Sequence, residues 1–151
     1  MPTITITTLV RAPRERCFDV SRNIDIHVSS MPGTGERAVA GRTSGLIEMG
    51  EQVTWEARHF GVRQRFTSEI TAFDRPRYFQ DSMRKGAFHS FVHDHYFDSS
   101  PEGTVMKDVV TFQSPLGILG RFVDWLVMEG YLRRMITERN EVVRLAAEER
   151  G

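Results

Sequence analysis

The sequence has a single cysteine and no excess of charge of either sign. Cys17 has no second cysteine with which to form an internal disulfide, and this scarcity is typical of a reducing compartment. Twenty Lys and Arg residues are balanced by twenty Asp and Glu residues, so the chain lacks the basic surplus that binding to nucleic acid requires. We therefore predict a cytoplasmic protein with no nucleic-acid partner.

The sequence also lacks a long uninterrupted apolar run. Its most apolar stretch, residues 116–136, is broken by Arg121, Asp124 and Glu129, which excludes a clean membrane-spanning helix. The first ten residues, MPTITITTLV, contain no basic region followed by an apolar segment, so we predict no signal peptide. These absences favour a protein with no membrane span.

Length and composition favour one globular domain. The chain has 151 residues, of which 40% are hydrophobic and 26% are charged, as is typical of a globular protein with a proper core. No internal repeat or low-complexity linker divides it. We predict a single ligand-binding domain over residues 1–151.

The N-terminal part alternates between strand and helix signals. Residues 3–10 alternate Ile or Leu with Thr, which predicts a strand. Pro13 opens a predicted helix, and a second short helix is predicted over 24–30. Residues 36–47 are weakly patterned, and we predict a loop there.

A β-hairpin is the clearest local signal. Residues 51–60 and 62–73 flank Gly61, and a two-residue turn places Trp55 opposite Phe66 and Glu56 opposite Arg65. One face of this hairpin is then apolar and the other charged. The predicted inner face carries Val53, Trp55, Phe66 and Ile70. The predicted outer face carries Glu56, Arg58, Arg63, Arg65 and Glu69.

The remaining pattern predicts more strands and then one long helix. Strands are predicted over 78–83, 87–98 and 104–113, and Ser114 followed by Pro115 is typical of a helix start. The chain reads as helical from there to residue 148. The fold class is therefore α+β: a curved antiparallel sheet of six to seven strands wrapped around one long C-terminal helix, with two short helices after the first strand.

Three segments carry a family resemblance: VTWEARHFGVRQ (53–64), FQDSMRKGAFHSFVHDHYF (79–97) and TVMKDVVTFQSPLGILG (104–120). With the element order, they resemble the SRPBCC or START-like helix-grip superfamily. Within it they are similar to small bacterial proteins described as polyketide cyclase/dehydrase- and lipid-transport-like, or as cell-division-inhibitor-like. The resemblance implies a helix-grip fold with a hydrophobic cavity between the sheet and the long helix. It does not imply one reaction, because this fold carries many functions.

Histidines are concentrated in FHSFVHDHYF, residues 88–97. Because side chains alternate along a strand, His89, His93 and His95 share one face. His93 and His95 are close enough to bind one metal ion, but we predict no metal and no cofactor. Two other interpretations are a buried hydrogen-bonded network and a polar site that orients a ligand.

Asp108 on the next strand is the predicted partner of these histidines. A hairpin loop over 98–103 that pairs Phe97 with Thr104 puts His93 opposite Asp108. The carboxylate can then fix the tautomer of an imidazole, serve as a third metal ligand, or orient a catalytic base.

The leading hypothesis is a protein that binds a small hydrophobic ligand, such as a lipid, isoprenoid, quinone or polyketide, as a monomer or homodimer. One alternative is a cyclase- or dehydratase-like enzyme that uses His93, His95 and Asp108. A second is a protein-interaction module that uses the C-terminal helix. We favour binding without catalysis. The predicted ligand-binding residues are Trp55, Phe66, Ile70, Phe91, His93, His95, Met106, Asp108, Phe112, Phe122 and Leu126.

Overall fold

A computed structural model of the chain describes residues 2–30, 32–115, 117–123 and 127–149. Two short helices follow the first strand, then come the other strands, and the C-terminal part of the chain is helical. The elements are β1 (Thr3–Val10), α1 (Arg14–Ser21), α2 (Ile24–Ser29), a 3₁₀ turn (Pro32–Thr34), β2 (Arg37–Gly41), β3 (Gln52–His59), β4 (Val62–Asp74), β5 (Tyr78–Lys85), β6 (Ser90–Ser100), β7 (Gly103–Gln113), α3 (Gly117–Val123) and α4 (Glu129–Glu148).

The strands form one antiparallel sheet of seven strands in the order β1-β7-β6-β5-β4-β3-β2. Strands β2 to β7 follow one another as neighbours, and β1 closes the far edge beside β7. Helix α4 packs against β1 and α1. The predicted α+β architecture, a sheet covered by a C-terminal helix, is confirmed.

Helix α4 faces the sheet with a stripe of buried residues at helical spacing. The apolar members of this stripe are spaced by one or two helical turns, so they lie on one side of the helix. They are Leu132, Ile136, Val143 and Ala147. Arg139 and Asn140 are buried in the same stripe. Two polar side chains therefore enter the core from the helix at positions where the pattern calls for apolar residues.

The β3–β4 hairpin has the predicted register. Trp55 pairs with Phe66 and Glu56 with Arg65, and the turn residues Phe60 and Gly61 both adopt positive φ, at 53° and 76°. On the outer face, the Glu56 carboxylate contacts the guanidinium groups of Arg37, Arg63 and Arg65. The prediction of one apolar and one charged face is confirmed.

The predicted loop over 36–47 is wrong in its first half, because Arg37–Gly41 forms the edge strand β2. Its pairing with β3 is irregular between Ala38 and Ala40, and its sequence has no alternation to reveal it. Gly41 adopts a φ of 74°, where a Cβ would collide with the Gln52 carbonyl. Hydrogen-bonded pairing with β3, and not a local alternation of apolar and polar residues, makes this segment a strand.

The predicted β6–β7 register is wrong by two residues. The hairpin turn is tight, with Ser100 paired to Gly103, so Phe97 lies opposite Met106 and not opposite Thr104. Gly103 permits this turn because its φ is 142° and a Cβ there would collide with the Val10 carbonyl. Since the shift is even, every side chain keeps its predicted face.

The C-terminal helical region was predicted to begin at Pro115 and run to residue 148. The described helices are α3, which begins at Gly117, and α4, which ends at Glu148. Residues 124–126 lie outside the described part of the chain. Among the described helices, none combines the length and apolar character needed to cross a membrane.

Candidate functional site

A cavity of about 370 Å³ lies between the inner face of the sheet and the helices α2 and α4. This volume is within the range of small-molecule sites in proteins. Its middle part is apolar, because strands β3 to β6 present alternate side chains to it and α4 presents its stripe. The main apolar contributors are Trp55, Phe66, Ile70, Phe79, Phe91, Leu132 and Ile136.

The predicted ligand-binding residues on the strands divide into two groups. Those on β3, β4 and β6 line the cavity: Trp55, Phe66, Ile70, Phe91, His93 and His95. Those on β7 are buried but do not form the described cavity wall, because α1 and α4 pack closely over that side of the sheet: Met106, Asp108 and Phe112.

Two more predicted residues, Phe122 and Leu126, belong to the C-terminal region. Phe122 lies on α3 with 56% of its surface exposed and does not line the cavity. Leu126 lies outside the described residues.

Asp81, His93 and His95 line the polar end of the cavity, and Asp108 lies behind the two histidines. His93 Nε2 lies 2.8 Å from Asp108 Oδ1, and His95 Nε2 lies 2.7 Å from Asp81 Oδ2. His95 Nδ1 is 3.4 Å from Asp108 Oδ1. The two-residue shift in register explains this pattern: His95 is directly opposite Asp108, and His93 reaches the carboxylate diagonally.

Helix α4 completes this polar network from the other side. Asn140 donates from Nδ2 to Asp108 Oδ2 at 2.6 Å, and Arg139 Nη1 lies 3.6 Å from Asp108 Oδ1. Arg139 also donates to the Ser21 carbonyl at 2.9 Å. Asp108 is thus the point where strands β6 and β7 and helix α4 are joined by polar contacts.

Ring stacking fixes the orientation of His95. Its imidazole lies between the His93 ring, at a centroid distance of 3.7 Å, and the Phe79 ring, at 4.1 Å. Asp81, its carboxylate partner, accepts a further hydrogen bond from Ser68 at 3.2 Å. Both the plane of the imidazole and the direction of its hydrogen bond are therefore set by neighbours.

The carboxylates are held in the ionised form. Burial alone would raise the pKa of Asp81, but its hydrogen bond to His95 and the nearby positive charges together outweigh burial and lower the pKa to about 2. Burial opposes ionisation of Asp108 in the same way, and hydrogen bonds from His93 and His95 hold its pKa well below the ordinary range.

The pKa values of the two imidazoles are shifted in opposite directions. Burial would lower the pKa of His95, but its contacts with the Asp108 and Asp81 carboxylates raise it above its ordinary value. Burial and the neighbouring His95 lower the pKa of His93. With His95 protonated and His93 neutral, the positive charges of His95 and Arg139 balance the two carboxylates.

The neutral His93 has a defined tautomer. Because the ionised Asp108 only accepts hydrogen bonds, His93 donates to it from Nε2 and carries a free electron pair on Nδ1. No described residue hydrogen-bonds that nitrogen, and the His93 ring lines the cavity. The polar end of the cavity therefore offers a hydrogen-bond acceptor.

Replacing His95 by Gln is expected to change how stability depends on pH. Because the folded pKa of His95 is raised, its protonation stabilises the fold fully below the unfolded pKa of about 6.5. That stabilisation is lost as pH rises through the folded pKa. Urea unfolding of the wild type should show the free energy of unfolding falling as pH is raised above about 6.5, and His95→Gln should flatten this slope.

His89→Gln is the matched control, because His89 is exposed and lies outside the network. It is expected to retain the slope. A wild-type protein whose free energy of unfolding does not fall across that pH range would show that His95 is not held as a cation.

Asp81, His93 and His95 form a group of metal-ligand type, with one potential ligand atom from each within 4.8 Å of the others. Asp108, the third ligand considered from sequence, is not part of it. The two imidazoles are stacked nearly parallel, at 20°, so their in-plane electron pairs run side by side and do not converge. This geometry fits a hydrogen-bonded network better than tetrahedral coordination.

Sequence reasoning missed two members of the network, Asp81 and Arg139. Asp81 shares the inner face of β5 with Phe79 and pairs with His93, so strand alternation alone can identify it. Arg139 can be recognised as a charged residue within the buried stripe of α4. Each residue is recognised as part of the network only when the neighbouring strand or helix face is known.

Comparisons with known proteins identify the fold. No protein-family model and no curated protein matches the chain. The protein TTHA0849 from Thermus thermophilus is 19% identical with a TM-score of 0.73, covering 97% of this chain and 99% of that one. Ginseng major latex-like protein 151 from Panax ginseng is 14% identical with a TM-score of 0.71, covering 97% of each chain.

A third similar structure, Ara h 8.0201, is 14% identical with a TM-score of 0.63, covering 94% of this chain and 97% of that one. The structural neighbours thus include Bet v1-like proteins. Together with the seven-stranded sheet and the C-terminal helix, they show that this chain has the helix-grip α+β fold.

Proposed function

We propose that this chain binds a small hydrophobic ligand, such as a lipid, isoprenoid, quinone or polyketide, in the cavity between the sheet and α4. The observation that carries the proposal is the cavity itself: about 370 Å³, with an apolar middle and a fixed polar end. A few convergent polar groups in an apolar pocket are typical of a ligand site. The helix-grip fold of the Bet v1-like neighbours agrees with this function.

The polar end defines the chemistry of the ligand. His93 Nδ1 is an acceptor, so the ligand group that meets it is a hydrogen-bond donor such as a hydroxyl. His95, Asp81 and Asp108 already satisfy one another, and their role is to hold His93 in position. A long-chain or isoprenoid alcohol, a hydroquinone and a hydroxylated polyketide all meet this requirement.

Ligand binding is expected to raise the melting temperature. At one hundred times its dissociation constant, a ligand stabilises the fold by about 2.7 kcal/mol, equivalent to roughly 5–10 °C for a chain of this size. A thermal-shift screen of alcohols, hydroquinones and polyketides, with native mass spectrometry of gently purified protein, measures this. Protein that is always empty and shifted by no compound would contradict the proposal.

Two variants with the same added ring make this test specific. Ala57 lines the cavity, so Ala57→Phe places a phenyl group where the ligand lies and should abolish the thermal shift. Ala40 is exposed on β2, so Ala40→Phe should retain the shift. Equal shifts in both variants would place the ligand outside the cavity.

A second candidate function is a cyclase- or dehydratase-like reaction on a polyketide or another hydrophobic substrate. The pair His93–Asp108 favours it, because a neutral imidazole oriented by a carboxylate is the usual arrangement of a general base. His93 Nδ1 would accept a proton from the bound substrate, and His95 would supply positive charge nearby. In the mass-spectrometry experiment, recovery of a chemically altered compound supports this candidate, and recovery of an unaltered one supports binding alone.

The interaction-module interpretation rests on exposed apolar residues in the C-terminal region. Ile118 and Leu119 on α3 are 82% and 64% exposed, and Leu145 on α4 is 53% exposed. Leu145 is far from Ile118 and Leu119 along the chain, and the main apolar stripe of α4 is buried against the sheet. The cavity therefore offers the stronger basis for function.

A further inference from the structure

A second group of polar side chains lines the cavity away from the Asp81 end. It consists of His27 on α2, Glu36 just before β2, His59 at the end of β3 and Tyr131 on α4. None of them has a role predicted from the sequence. They come together because β2 pairs with β3 and α4 crosses the open end of that hairpin.

The Glu36 carboxylate is buried without a directed hydrogen-bond donor. Its side chain is only 8% exposed. His27 Nε2 lies 2.8 Å from Glu36 Oε1, but it is not aligned to donate, and no described residue donates a hydrogen bond to this oxygen. The His27 ring is held in place by stacking on Trp55, at a centroid distance of 4.2 Å.

The other two members of the group hydrogen-bond each other and not Glu36, whose only close contact with this group is the ion-pair contact to His27. His59 Nδ1 lies 2.7 Å from the Tyr131 hydroxyl. Burial lowers the pKa of His59 and raises the pKa of Tyr131, so both are uncharged near neutral pH. Neither supplies a positive charge to Glu36.

A buried acceptor without a donor is costly, and native structures rarely retain one without a reason. Glu36 Oε1 faces a cavity large enough for a ligand, so a donor group on the ligand provides that reason. The neighbouring Trp55 and Tyr131 rings form apolar walls on either side. The arrangement is that of a binding site for one polar group at the end of an apolar molecule.

Strand register gives the offset between the two polar ends along the strand direction. Arg37 pairs with Glu56, so Glu36 stands level with Ala57 on β3. At the other end, Ser68, which hydrogen-bonds Asp81, pairs with Val53. Ala57 and Val53 are four residues apart, which is an offset of about 13 Å along the strand direction. Asp81 and His93 lie on β5 and β6, so the separation across the sheet adds to this offset.

We propose that Glu36 is a second ligand-binding group, which accepts a hydrogen bond from a hydroxyl or amine at the far end of an elongated ligand. The ligand is then an elongated apolar molecule with a donor at each end, one on His93 and one on Glu36. This inference rests on the proposed function, because it requires that the cavity binds a hydrophobic ligand.

Matched pairs of saturated alcohols test the inference. In each pair, a 1-alkanol and the α,ω-diol of the same carbon number are titrated calorimetrically, over a graded series of chain lengths. The diol is expected to bind about 10- to 100-fold more tightly than the alkanol, the effect of one hydrogen bond to a charged group. The advantage should peak at one chain length, at which the two hydroxyls reach His93 and Glu36 together.

Glu36→Met removes the acceptor while keeping a side chain of similar length. It should eliminate the advantage of the diol over the alkanol, and measurable binding of the alkanol shows that the variant is folded. Glu36→Gln, which keeps a neutral acceptor, should retain part of the advantage. Glu48→Gln alters an exposed carboxylate outside the cavity and is the control, with no change expected.

The possible results separate the two proposals. Equal affinities for diol and alkanol at every length, or an advantage that survives in Glu36→Met, would overturn the role of Glu36 and leave the binding function standing. Failure of both alcohols to bind the wild type at any length would overturn the binding of hydroxylated apolar ligands, and the inference with it.

Discussion

Replacing Asp108 by Ala is expected to lower the free energy of unfolding by about 3–5 kcal/mol, the cost of breaking a buried charge network from one side. Asp108 is 3% exposed and accepts hydrogen bonds from His93 and Asn140. Without its carboxylate, the charges of His95 and Arg139 are balanced by Asp81 alone. Urea unfolding at neutral pH, followed by circular dichroism, measures the loss.

Asp98→Ala is the matched control, because Asp98 lies on the same hairpin but is exposed. Its free energy of unfolding should remain within about 0.5 kcal/mol of the wild type. If Asp108→Ala lost no more than Asp98→Ala, the polar contacts of α4 with the sheet would contribute little to stability. The packing of Leu132, Ile136 and Val143 would then hold that helix without them.

The sequence predicts local features of this fold well and long-range ones poorly. The β3–β4 register follows from two strands and a two-residue turn, all within adjacent residues, and it is correct. Strand β2 has no such signal, because its conformation depends on pairing with β3 across the intervening loop. Edge strands of this kind form only when their neighbour is in place.

The polar end of the cavity illustrates the same limit. Alternation along β6 places His93 and His95 on one face, and alternation along β7 places Asp108 on the same side. An error of two residues in register did not change the faces, so the three residues were still brought together. The partner of each histidine does depend on register, and Asp108 proved to be directly opposite His95 and not His93.

Alternation along β6 and β7 cannot predict the residues that other parts of the chain contribute to the cavity. Arg139 arrives from α4, and Glu36 from the segment before β2. Each is polar in a setting that is buried only because of tertiary packing. Their roles follow from the cavity, whose shape depends on how the sheet curves and where α4 crosses it.

Replacing Phe79 by Ala is expected to lower the free energy of unfolding by about 3–5 kcal/mol, the usual cost of removing a buried phenyl ring. Phe79 is 3% exposed and packs edge-on against Phe18, at a centroid distance of 5.2 Å. Its other face stacks on His95. The substitution therefore removes a core contact and one of the two rings that orient the His95 imidazole.

The same substitution should also alter ligand selection, because Phe79 lines the cavity beside its polar end. The space left by the ring should admit a bulkier ligand there, so calorimetric titration should show relative affinity shifting toward alcohols with a ring next to the hydroxyl. Leu145→Ala removes an apolar side chain at a site that is 53% exposed and does not line the cavity. It should change neither ligand selection nor, by more than about 0.5 kcal/mol, stability. If Phe79→Ala were destabilised but kept its ligand preference, the prediction about ligand selection would be wrong. The phenyl group would then stabilise the fold without shaping the cavity.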